Sequence, residues 1–179
     1  GGPAWGAGRP QATGGTSMLT RLNRALAIGG MSLAVAGLWA ITLLVAWQVF
    51  GRYVLNDTPT WAESLTLVLV LYVALIGAAV GVRDAGHIGM ESLLVLVSDA
   101  VRVRLEIVIY ALVGIFGAMM LWYGWGLMEG VLSYKIPTLG ISEAWHYAPL
   151  VLSGALIVLF SVEHVNALAR GEVVEPAWH

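Results

Sequence analysis

Apolar residues run along this chain in long, nearly unbroken stretches, and the polar residues fall between them in short groups. The stretches cover residues 25–50, 61–82, 107–128 and 144–167. Each is at or beyond the ~20 residues that an α-helix needs to cross a hydrocarbon core. The pattern predicts an all-α membrane protein with four transmembrane helices. Arg21 and Arg24 precede the first stretch, as basic residues precede a secretory signal, but a signal's apolar region is only about 7–15 residues long. Ala34-Val35-Ala36 resembles a cleavage site yet lies in the middle of the run, so an uncleaved first span is expected.

The polar groups set the boundaries. Asn56-Asp57-Thr58-Pro59 is turn chemistry, with Pro59 suited to a first helical position and Thr58 to its cap. Arg83-Asp84-Ala85-Gly86-His87 is too polar to stay in hydrocarbon and closes the second span. Residues 88–101 are apolar but short, with Glu91, Ser98 and Asp99 among them. They read as a short amphipathic helix lying in the membrane interface between the second and third spans. An N-terminal extension of the third span is the alternative. Residues 129–143, with Lys135, Pro137 and Gly140, read as a loop. Residues 1–17, rich in Gly, Ala, Pro and Thr, are expected to be disordered. They suit a tag remnant or a start placed too early, since Met18 could open the chain. Residues 18–170 then form one four-helix membrane domain, and 171–179 a short cytoplasmic tail.

Composition supports lipid as the solvent. Of 179 residues, 59% are hydrophobic and 11% charged, against about 25% charged in a typical water-soluble domain. So few charges could not cover a globular surface in water. The net charge of −2 offers no basic field for nucleic acid. The lack of cysteine removes disulfides, iron–sulfur clusters and thiolate zinc sites. Trp and Tyr at span ends suit headgroup-depth anchoring among membrane lipids. Arg21, Arg24, Arg83, Arg102, Arg104 and Arg170 fall on one side of a four-span layout, and only Arg52 and Lys135 on the other. Basic loops stay in the cytoplasm, so both termini are expected there.

Chemistry is sparse. A charge at the centre of a span costs about 2.5–3.5 kcal/mol and marks function when present, but here the ionisable residues lie towards the span ends. A chain that itself carried ions or protons should hold some at the midplane. His87 and His164 on one face could ligate haem, as in a membrane electron carrier, although His87 belongs to a polar loop. No His/Asp/Glu group has zinc spacing, and Ser64, Ser133 and Ser153 lack an obvious base. Packing signals are richer. Gly77 and Gly81 have GxxxG spacing, extended by Ala74, Ala78 and Ala85, and Gly126 and Gly130 repeat it. Such stripes let helices approach closely in lipid, either within the chain or against a partner subunit. Arg52 and Glu63 fall near one boundary, where they could bridge two helix ends or bond a partner.

Arg52-Tyr53-Val54-Leu55-Asn56, then Trp61-Ala62-Glu63, a span holding Gly77-Ala78-Ala79, and Arg83-Asp84-Ala85-Gly86-His87-Ile88 resemble one family. It is the small membrane (DctQ-like) subunit of tripartite ATP-independent periplasmic (TRAP) transporters. The layout resembles that family over residues 22–169, and the specific motifs occupy the middle third. The family's Trp-x-Glu-Glu pattern has Ser64 here in place of its second acid. The resemblance implies a non-enzymatic scaffold, without cofactor, in a bacterial inner membrane. It would brace a large membrane subunit that imports an organic acid, such as a dicarboxylate or sugar acid, with sodium, and would help dock a periplasmic substrate-binding protein. It also implies partner-interface or helix-end contacts at Arg52, Tyr53, Trp61, Glu63, Gly77, Gly81, Arg83 and His87. A stand-alone small transporter or channel, and the haem carrier, are the alternatives.

Overall fold

A computed structural model describes residues 18–57, 59–84 and 99–170. Helix α1 spans Met18–Phe50 and runs on through a π-helical turn, Gly51–Leu55. Helix α2 spans Thr60–Asp84, α3 Asp99–Gly130 and α4 Ala144–Ala169. All four are long and apolar enough to cross a membrane. The fold class is therefore as expected for the spans. The expected interfacial helix falls largely on residues outside the described ones, as do Thr58, His87, residues 1–17 and the tail from 171 onward.

Two boundaries differ from the sequence reading. The first span does not stop at Phe50 but runs on to the polar turn before Pro59. Asn56 adopts a left-handed conformation (φ 53°), and its N–H and that of Asp57 both reach the Gly51 carbonyl, ending the helix a turn later than hydropathy suggests. A short polar side chain tolerates that conformation better than a branched one. The third helix begins at Asp99, upstream of residue 107, so Arg104 and Glu106 lie within α3.

The glycines show how the helices pass one another. A Cβ at Gly30 would fall 2.9 Å from Val80, and one at Gly37 2.5 Å from Val73. As α1 advances, α2 recedes, so the pair is antiparallel and closely crossed. Gly117 and Gly154 make an equally close antiparallel crossing of α3 and α4: a Cβ at Gly154 would meet the Leu121 nitrogen at 2.7 Å and the Gly117 oxygen at 2.8 Å. In lipid the hydrophobic effect does not drive helices together, so close backbone approach carries much of the packing. Helix α4 is central. It packs extensively on α3 and α2 and touches α1, whereas α1 rests mainly on α2. Accordingly 44% of the apolar window of α4 is buried, against 6% for α1. Leu33, Leu38, Trp39 and Leu43 of α1, and Leu112, Phe116 and Trp122 of α3, point outward. So much exposed apolar surface is at home in a bilayer or against another membrane protein.

Candidate functional site

The small apolar core of Ala27, Val80 and Phe160, flanked by Leu26 and Leu156, sits towards the end of the bundle where α1 begins and α2 and α4 finish. Beside it the chain buries its strongest polar groups. Arg83, in the last turn of α2, is 1% exposed. Its Nη1 donates to Asp84 Oδ1 at 3.0 Å and its Nε to Glu163 Oε2 at 3.3 Å. Asn23 of α1 donates from Nδ2 to the same Glu163 oxygen at 3.0 Å and to the Leu159 carbonyl at 3.3 Å. The Arg83 guanidinium lies 6.0 Å from the centre of the Phe160 ring, within cation–π range.

One turn of α4 carries the network onward. His164 follows Glu163, is 1% exposed, and its Nδ1 lies 2.9 Å from the Phe160 carbonyl. Its ring stacks on Tyr110 of α3 at 4.2 Å between centroids. Residues from all four helices thus meet at one end: Asn23, Arg83, Glu163 with His164, and Tyr110. Hydrocarbon offers no water to a polar group, so each charge must find its partner within the protein. Removing one partner of a buried pair costs about 3–5 kcal/mol. The arrangement acts as a four-helix staple.

The opposite end is tied differently. Gln48 donates to Thr66 Oγ1 at 3.0 Å, joining α1 to α2. In the loop between α3 and α4, Lys135 and Ser142 form an antiparallel bridge closed by Gly140 at φ 69°. Ser142 accepts the N–H of Ala144, the first residue of α4, at 3.2 Å. Thr138 donates to Ser64 Oγ at 2.6 Å, strapping the loop onto the first turns of α2. Ser64, the position where an acid was expected, has this contact instead.

The residues singled out in the sequence do not form one site. Arg83 is placed with a partner at a helix end, but inside the bundle rather than in a polar loop beyond it. The Glu163 carboxylate across the gap is what lets it stay, and no spacing within α2 announces that partner. Arg52, Tyr53, Trp61 and Glu63 are exposed at the loop end, and no ion pair joins Arg52 to Glu63. Gly77 and Gly81 have open space where a Cβ would be, as do Gly126 and Gly130. Among the described residues neither GxxxG pair packs against another helix. Nothing in the spacing of Asn23, Asp84, Tyr110, Glu163 and His164 along the chain marks them as a group. The one signal is the adjacent polar pair Glu163-His164, one turn after Phe160 in a span-forming helix. Among the described residues no group of three or more His, Cys, Asp or Glu side chains is placed to hold a metal ion.

Comparison with known proteins accounts for a bundle braced at one end and apolar outside. Residues 41–171 match the family model for the DctQ component of tripartite ATP-independent periplasmic transporters. The sialic acid TRAP transporter small permease protein SiaQ of Vibrio cholerae is 27% identical over 133 residues, covering 73% of this chain and 76% of that protein. The C4-dicarboxylate TRAP transporter small permease protein DctQ of Pseudomonas aeruginosa is 31% identical over 113 residues, 60% of this chain and 53% of that one. The sialic acid TRAP transporter permease protein SiaT of Haemophilus influenzae is 29% identical over 132 residues, which are 73% of this chain but 20% of that protein. The family is a transporter component and not an enzyme. With the matched segment running from the middle of α1 to the end of α4, this chain belongs to the DctQ component family of tripartite ATP-independent periplasmic transporters.

Proposed function

We propose that this chain is the scaffold subunit of a sodium-coupled, binding-protein-dependent importer of an organic acid such as a dicarboxylate or a sugar acid. It braces a large membrane subunit from a bacterial inner membrane, with both termini cytoplasmic, and its loop end helps to dock the periplasmic binding protein. One observation carries the reading. The buried charges of the described spans, Arg83, Asp84, Glu106 and Glu163, are gathered at one end, and Arg83 pairs with both Asp84 and Glu163. A secondary transporter binds substrate and coupling ions near the midplane, on broken helices and central polar groups; among the described residues the middles of these helices carry no charged side chain. The likeness of this chain to one fifth of SiaT, a much longer permease, supports a larger membrane partner. The open faces at Gly77, Gly81, Ala74 and Ala78 of α2 suit its helices.

Reconstitution tests this directly. The isolated chain in liposomes should move no organic acid under a sodium gradient, whereas adding the large subunit and a loaded binding protein should give uptake. Uptake by the chain alone, or undiminished uptake without it, would refute the scaffold assignment.

A further inference from the structure

We draw no further inference here: the strongest candidate, the outer face of α1 on which Gly29, Ser32, Ala36, Trp39, Leu43 and Ala46 are exposed in one row, is a stripe of mostly small and apolar residues, and nothing in the structure shows what covers it.

Discussion

Replacing Gly154 by alanine adds a single methyl group at the point where α4 passes closest to α3. Its Cβ would lie 2.7 Å from the Leu121 nitrogen and 2.8 Å from the Gly117 oxygen. Both are backbone atoms of a helix, so neither can rotate away as a side chain would. Ordinary contacts sit at about 3.5–4.0 Å, so the helices must separate by roughly 0.8 Å at that crossing. Overpacking of this kind costs about 1–3 kcal/mol. The loss concentrates in one interface, because α3 packs extensively only on α4 among the described helices. At Gly77 the same methyl group meets nothing within 4 Å. There the higher helix propensity of alanine should dominate, for a gain of about 0.5–1 kcal/mol. The two substitutions should therefore move stability in opposite directions. Unfolding of the purified chain in mixed micelles, followed by tryptophan fluorescence, measures both. Co-purification with the large subunit gives the complementary readout: Gly77→Leu or Gly81→Leu should weaken assembly without destabilising the isolated chain. Wild-type stability in Gly154→Ala, or equal damage from leucine at Gly77 and Gly154, would refute the assignment of inner and outer faces.

Arg83→Met leaves two carboxylates buried together and should lower the unfolding free energy by about 3–5 kcal/mol, measured in the same micelles. Glu163→Gln keeps an oxygen for Asn23 and Arg83 and should cost on the order of 1 kcal/mol; equal, small effects would show the cluster to be solvated. Thr138→Ala removes the strap to Ser64 and should speed amide exchange across residues 131–143 without changing global stability. Reversing Arg52 or Glu63 singly should leave the isolated chain as stable as wild type, since the two are exposed and apart; any loss should appear only as weaker assembly or uptake in the complete transporter. Reporters fused after Arg24 and after Arg170 should read cytoplasm, and those near Asp57 and Thr138 periplasm; termini on opposite faces would contradict the expected orientation.

Hydropathy made the four spans legible because lipid imposes one requirement on every residue of a crossing helix. It was weakest at the ends, where a charge can leave the membrane or be answered inside it. Arg83 looks like a residue leaving the membrane until Glu163, from a segment eighty positions away, is brought beside it. Asn23, lying between Arg21 and Arg24, reads as part of a basic flank, and only the passage of α4 makes it a bridging residue. Glycine has the same ambiguity. GxxxG spacing says that two small residues share a helix face, but not which face. The close approaches fall instead at Gly30, Gly37, Gly117 and Gly154, whose role depends on the neighbouring helix, while Gly77 and Gly81 look outward. In a water-soluble protein, hydrophobicity would separate inside from outside. Here both are apolar, so the information about packing resides in the few small and polar side chains. Each acquires its meaning only from the helix opposite. The outward glycines and the buried arginine follow from one rule, since a helix face in lipid is defined by what can approach it rather than by how apolar it is.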